Sequence, residues 1–280
     1  MIIFYCYSFP TYRGGSITQN LDENGGLYMN LLQEYKNQNI WREWERYINK
    51  LPLNPNQTVY DLGCSIGEVS KLFSAQVKKV IGFDNDKHLL EEANKKKQSN
   101  CEFILENIFT INPTSLKKCD GIWMSFTLAY MGDPSLFISN WTKCLNNGGW
   151  FGIVDIDGLF SSHLSDGEKY FNEIEAFEKK SAQDKIYDFR IGSKIKKIMQ
   201  ECGLEIVVSE ENWYDRELNF NGKATEDIVE NWRSRLERMV FLKSYFGTKY
   251  PEFCKYFLNI ISEESHITNA CVKFYVGVKR

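Results

Sequence analysis

Between residues 58 and about 156, short apolar runs alternate with amphipathic stretches, and this rhythm constrains the chain more than any other feature. "TVYDLG" is strand-like, "GEVSKLFSAQ" helix-like, "KKVIGFD" strand-like, and "DKHLLEEANKKKQ" an amphipathic helix. "CEFILEN" and "CDGIWMSFTLAYM" supply two more strands, "PSLFISNWTKCL" a helix that opens on proline, and "GGWFGIVDID" a fifth strand after a glycine stop. Strands this short and apolar, each followed by a helix, have to be covered on both faces. The pattern therefore predicts an α/β fold: a doubly wound, mostly parallel sheet with right-handed crossovers.

The flanks extend that plan. "LYMNLLQEYKNQNIWREWERYINKL" reads as one or two helices with aromatics on one face, inside an N-terminal helical cap at 1–57. After the fifth strand, "RIGSKIKKIMQECGLEIVVSEENWY" gives a helix, a break at Gly203 and a sixth strand. A helical insertion follows, set at 216–265 as a lid over substrate. "NACVKFYVGVKR" then ends the chain as a last strand, and because it arrives without a crossover helix of its own class it is expected to run antiparallel. The sheet core is thus 58–215 together with 266–280.

Composition narrows the class. A formal charge of −3 and a pI of about 5.8 provide no global basic field for a nucleic-acid backbone. The eight cysteines contain no C-x-x-C pair, and no histidine lies at zinc spacing, so they read as buried thiols in a reducing compartment and no metal is expected. No stretch approaches the roughly 18 apolar residues of a membrane span. The expectation is a cytoplasmic enzyme or binding protein.

"VYDLGCSIGEVSKLF" sets a carboxylate, Asp61, just before a turn bracketed by Gly63 and Gly67. In an open α/β sheet this first turn approaches a ligand closely. Yet the spacing is G-x-x-x-G, Ser65 takes the second glycine position of the dinucleotide fingerprint, and Asp61 would repel a pyrophosphate. A plain tight turn with Ser65 as a helix cap is the competing reading. Asp84 ends the second strand about twenty residues on, where a carboxylate can accept both ribose hydroxyls, and Asn107 ends the third, where an amide can meet an adenine edge. A ribose acceptor and an adenine group without a phosphate cradle describe a nucleoside that carries a cation.

The D-x-G-x-x-x-G turn, the "GFD" and "EN" strand endings, and "NNGGWFGIVDID" all fall in one order and spacing. On these motifs the segment from about 56 to 156 resembles the Rossmann-like, class I S-adenosylmethionine-dependent methyltransferases, in their small-molecule branch. The resemblance implies a seven-stranded sheet with an antiparallel last strand. It implies that Asp61, Gly63, Cys64 and Gly67 shape the methionine pocket and that Asp84 binds the ribose. It implies further that Asn107 and the backbone of Ile108 contact the adenine, with Asn85 and Ser125 lining the same pocket. The cofactor would be S-adenosyl-L-methionine, with S-adenosyl-L-homocysteine as product, and its sulfonium and ammonium would account for an acid at the turn. Ser65, where the motif often has glycine, and Asn107, where aspartate is more frequent, depart from the pattern.

Methyl transfer is an in-line displacement that needs alignment and exclusion of water, plus a base where the acceptor holds a proton. The candidate bases are His163, just past the fifth strand, and His266, just before the last; an ordinary loop histidine is the rival reading for each. Asp155 and Asp157 end the fifth strand, where one can hold an amine or orient His163, and strand-end capping is the alternative. Arg13 can pair with the cofactor's carboxylate or simply face solvent. His88 and Lys95 to Lys97 belong to a solvated helix. The aromatic-rich "WRSRLERMVFLKSYFG" and "YPEFCKYFLNII" are expected to build the lid. The leading expectation is a methyltransferase acting at oxygen or nitrogen of a small molecule, without nucleic acid or membrane. An RNA or protein methyltransferase, and a non-methylating protein that binds the same cofactor, are the alternatives.

Overall fold

The computed structural model of the protein describes residues 26–280. Its seven strands are β1 (Thr58–Leu62), β2 (Lys79–Asp84), β3 (Cys101–Leu105), β4 (Cys119–Ser125), β5 (Leu145–Asp157), β6 (Leu204–Trp213) and β7 (Cys271–Lys279). They form one sheet in the order β3-β2-β1-β4-β5-β7-β6. The pairs β1–β2, β1–β4, β2–β3 and β4–β5 are parallel, and β7 runs antiparallel to both β5 and β6. The doubly wound sheet with an antiparallel last strand is therefore the observed one. Strand order reverses beside β1, so a crevice opens at the carboxyl ends of β1 and β4.

Local chemistry explains where the crossover helices start. In α4 (Lys87–Lys95) the Asp86 side chain accepts from the backbone N–H of His88 and Leu89 at 2.9 and 3.1 Å. In α5 (Pro134–Thr142) Asp133 accepts from Leu136 N at 2.9 Å, and Pro134 sits where its missing N–H costs nothing. The helix after β1 is α3 (Glu68–Ser74), and α6 (Phe171–Gln183) and α7 (Gly192–Glu201) lead into β6.

Two strands are shorter than the apolar pattern suggests. β4 stops at Ser125 because Phe126 turns to φ +49° and Thr127 Oγ1 donates to Ser125 O at 2.9 Å, after which Leu128–Tyr130 form a 3-10 turn. β3 stops at Leu105, and Asn107 belongs to the following turn, where its Oδ1 accepts from Phe109 N at 2.9 Å. Both departures lie at the crevice, where the chain leaves the sheet to make a site.

The core fills both faces of the sheet; Trp123, Trp141, Trp150 and Tyr47 are fully buried. The inserted helices α8 (Glu226–Arg238), α9 (Val240–Phe246) and α10 (Tyr250–Ile260) contribute Trp232, Phe253 and Phe257 to the same continuous cluster. The N-terminal helices are α1 (Gly26–Trp41) and α2 (Trp44–Ile48). A smaller cluster of Leu31, Leu32, Tyr35, Ile66 and Leu89 fixes α1 over the turn after β1. Among the described residues no helix is long and apolar enough to cross a membrane.

Candidate active site

The turn between β1 and α3 is sewn to the end of β2. Gly63 N and Cys64 N both donate to Phe83 O, at 2.8 and 3.0 Å. Gly63 and Gly67 have φ of +75° and +77°. A Cβ on Gly63 would stand 2.7 Å from Thr127 Oγ1, and one on Gly67 2.7 Å from the Phe103 ring. Ser65 also takes the left-handed conformation, at φ +51°, so the turn keeps its shape although a side chain occupies a position that favours glycine. Its Oγ is buried with no hydrogen-bond partner among the described residues.

Two carboxyls stand behind this turn. Asp84 accepts from Ser65 N at 2.8 Å with Oδ2 and from Asp86 N at 3.0 Å with Oδ1. Asp61 Oδ2 accepts from Ser70 Oγ at 2.6 Å. Both are buried, at 3% and 2% exposure, and among the described residues no Lys, Arg or His forms an ion pair with either. Burial pushes the Asp61 carboxyl up to about 7, against the Ser70 hydrogen bond and with a smaller push from Asp84. Burial likewise pushes Asp84 up to about 6, opposed by the Asp86 and Ser65 amides. Burial, then Asp84 and Asp61, raise the Cys64 thiol well above its ordinary value. Two desolvated acids without a basic partner make a place that favours a cation.

The cleft in front of them is lined by Asp61, Gly63, Cys64 and Ser65 below, Ser125 at the side, and Tyr35, Gln38 and Arg42 from α1 and its end above. Asn107 is half-buried and Ile108 buried at the far end of the crevice, while Asn85 is exposed. Arg13 lies outside the described residues.

The two candidate histidines, 103 positions apart in sequence, are in contact. His163 Nδ1 lies 3.0 Å from His266 Nε2, and His266 Nδ1 lies 3.2 Å from Gly222 O. A carbonyl only accepts, so His266 carries its proton on Nδ1, its Nε2 accepts from His163 Nδ1–H, and His163 Nε2 is left bare. That atom is buried without a hydrogen-bond partner. Burial, then His266, holds His163 down to about 3 with the Leu218 carbonyl opposing, and burial also lowers His266. Asp155 does not orient His163: its oxygens accept from Ala129 N at 3.2 Å and Ile156 N at 2.9 Å, which fixes the Leu128–Tyr130 turn. Burial raises its carboxyl to about 6 against these amides. Asp157 lies 4.0 Å from Lys273, and exposed His88 sits 3.6 Å from Glu91 on α4. Among the described residues no cluster of ligating side chains could hold a metal.

One buried feature escaped the linear pattern. Arg42, at the end of α1, donates to Asp215 Oδ2 and Glu217 Oε2, both at 3.0 Å, and to Gln38 Oε1 at 3.2 Å, with its guanidinium 4.2 Å from the Phe126 ring centre. Glu217 Oε1 accepts from Asn231 at 2.6 Å and from Arg235, and Glu34 accepts from Gln38 and Arg238. These charges knit α1, the segment after β6 and α8 together beside the cleft. The only signal in the sequence is charge set among aromatics, in "IWREW" and "WYDRELNF".

The sheet order and the turn after β1 together define an α/β protein with a nucleoside-cofactor crevice. A family model described as a methyltransferase domain matches residues 53–211, and the chain belongs to that family, as an S-adenosylmethionine-dependent enzyme. Solved structures agree in fold. A protein of Bacillus halodurans C-125 described as a methyltransferase candidate has a TM-score of 0.56 at 17% identity, covering 85% of this chain and 98% of its own. A cyclopropane synthase of Mycobacterium tuberculosis has a TM-score of 0.55 at 15% identity, covering 84% and 82%. A chain from the complex between the Haloferax volcanii Trm112 methyltransferase activator and its methyltransferase candidate has a TM-score of 0.55 at 13% identity, covering 90% and 96%. Another neighbour, a mycolic acid cyclopropane synthase, was crystallised with S-adenosylhomocysteine. No curated sequence matches the chain.

Proposed function

We propose that the chain methylates a small molecule at oxygen or nitrogen, with the cofactor held at the turn after β1 and the acceptor under the inserted helices. The observation that carries this reading is the pair of buried carboxyls at the turn after β1: Asp61 lines the cleft, Asp84 stands behind it and accepts from Ser65 N, and neither has a basic partner among the described residues. The residues fit the cofactor: the orphaned Ser65 hydroxyl and the close backbone at Gly63 suit a nucleoside amino acid better than a phosphate. When bound, S-adenosylmethionine supplies a methyl group activated by its sulfonium.

Asp84 has lone pairs left for ribose hydroxyls after accepting its two loop amides. Asp61, with Gly63, Cys64 and Gly67, receives the cationic amino-acid end, which Ser125 borders; Asn85, Asn107 and Ile108 border the adenine, and Arg13 is the candidate partner for the cofactor's carboxylate. The segment 216–265 serves as the lid, closing the acceptor end from water with Trp232 and Phe257. His163 Nε2 takes the acceptor's proton, and His266 is a positioning residue that fixes the ring's tautomer. Asp155 acts through the Leu128–Tyr130 turn.

Asp84→Ala tests the site. It removes a buried acceptor of two backbone N–H groups and of the ribose, so affinity for S-adenosylhomocysteine should fall by ~1–3 kcal/mol, about 5- to 150-fold. Unchanged affinity would remove Asp84 from the site.

A further inference from the structure

The turn after β1 directs its backbone donors into the protein. Gly63 N and Cys64 N go to Phe83 O, Ser65 N goes to Asp84 Oδ2 at 2.8 Å, and Gly67 N goes to Cys64 O at 2.9 Å. With these amides turned inward, an anionic group entering the cleft must find its hydrogen bonds on side chains, unlike a phosphate cradled by a glycine-rich loop. Several of the side-chain donors along the cleft are also engaged. Gln38 Nε2 donates to Glu34 Oε1 at 3.0 Å, Arg42 is paired with Asp215 and Glu217, and Trp44 Nε1 donates to Asn39 Oδ1 at 2.7 Å.

Two donors stay open. An indole N–H only donates, so Asn39 turns its carbonyl oxygen to Trp44, and its Nδ2 group has no acceptor among the described residues. Asn39 is half-buried on α1 and lines the cleft. Ser65 lines the same cleft from the turn, with its Oγ buried and unpartnered. It keeps that hydroxyl in place at φ +51°, a conformation that glycine would adopt freely. Asp61 stands in this cleft without a basic partner among the described residues. A carboxyl that favours a cation, beside an N–H and an O–H group that each lack an acceptor, describes a zwitterionic guest, the α-amino-acid end of a larger molecule.

Resting on the reading of this cleft as the cofactor site, we propose that Asn39 Nδ2 and Ser65 Oγ together hold the α-carboxylate of the cofactor, so that α1 and the turn after β1 select a complete amino-acid end. A carboxylate accepts about four hydrogen bonds, so these two donors add to Arg13 rather than replace it. Hydrogen bonds to an ionised acceptor are the stronger kind, and both donors gain a partner that they otherwise lack. Asn39 reaches the cleft through packing: Leu31, Leu32 and Tyr35 of α1 meet Ile66 of the turn and Leu89 of α4 in a cluster separate from the main core.

The test is titration of the full chain with three ligands: S-adenosylhomocysteine, its decarboxylated analogue S-adenosyl-3-thiopropylamine, which keeps the amine, and 5′-methylthioadenosine, which has neither group. The natural chain should bind S-adenosylhomocysteine at least tenfold tighter than the decarboxylated analogue. Asn39→Asp keeps the oxygen that Trp44 needs and replaces the open amide with a second oxygen, and it should lower that preference at least fivefold. Ser65→Gly should lower it at least threefold, and it reads the same contact should Asn39→Asp not fold. Affinity for 5′-methylthioadenosine should stay within twofold in both variants, which a merely structural role for these side chains would not allow. Equal binding of S-adenosylhomocysteine and its decarboxylated analogue, a preference that survives in the folded variants, or an equal loss for all three ligands would overturn the carboxylate contact and leave the cofactor site standing. Binding of none of the three by the folded natural chain would refute the site and the contact with it.

Discussion

Cofactor binding should release protons, because a cationic guest must ionise the carboxyl it meets. Burial raises Asp61 to about 7 in the folded chain and Asp84 to about 6. At pH 6.5 a group at 7 is about three-quarters protonated and one at 6 about one-quarter, so stabilising both carboxylates releases close to one proton; at pH 8.5 almost none is left to release. The assay is calorimetric titration with S-adenosylmethionine in buffers of different ionisation enthalpy, from which proton release is read directly. Asp61→Asn, whose amide oxygen still accepts from Ser70, should cut the release at pH 6.5 to about a quarter of a proton and weaken affinity. No release from the natural chain at pH 6.5, or the same release from the variant, would refute the account of a cation-seeking carboxyl pair.

The same groups set the pH dependence of the free chain. Their folded values are raised, so their contribution to stability is fully present below about pH 4 and is lost as pH rises through 6 and 7. For Asp61 the interval from 3.8 to about 7 corresponds to roughly 4 kcal/mol, an upper bound that Asp61→Asn should remove from urea-unfolding curves between pH 4.5 and 8. Ser65→Gly should leave stability level or raise it by up to ~1 kcal/mol, by relieving the left-handed φ, yet weaken cofactor binding several-fold through loss of the cleft-facing hydroxyl; equal affinity would show that Oγ meets nothing. Arg42→Met strands Asp215 and takes from Glu217 one of its two guanidinium partners, and should cost ~3–5 kcal/mol in urea unfolding, part of which Arg42→Met with Asp215→Asn recovers. His163→Ala should lower turnover at least a hundredfold once an acceptor is in hand, with cofactor affinity unchanged, whereas intact turnover would leave the His163–His266 pair a structural feature.

What could be read from the chain itself was whatever local periodicity encodes. The strands around Val59, Val80, Phe103, Ile122 and Ile153, the helices between them and the reversed last strand all follow from short apolar runs separated by caps and glycine. Asp61 and Asp84 were legible for the same reason, because strand ends and their spacing fix where a carboxylate stands. The contact of His163 with His266 was not, and neither was the burial of Arg42 against Asp215 and Glu217. Those partners lie more than a hundred residues apart: the pairing of β5 with β7 brings the two histidines together, and the packing of α1 against the segment after β6 buries Arg42. The early end of β4 was hidden as well: "SFTLAY" is as apolar as a strand, but Phe126 leaves the sheet and Asp155 holds the turn that follows.

The central claim is the cofactor site, and its most direct test is calorimetric titration of the full chain at pH 7.5 with S-adenosylmethionine and S-adenosylhomocysteine, beside NAD and ATP. Saturable binding of the first two at micromolar concentration, with neither control bound, is the predicted result. Binding of NAD or ATP instead, or of none of the four by folded protein, would contradict the assignment of Asp61 to Gly67 and Asp84.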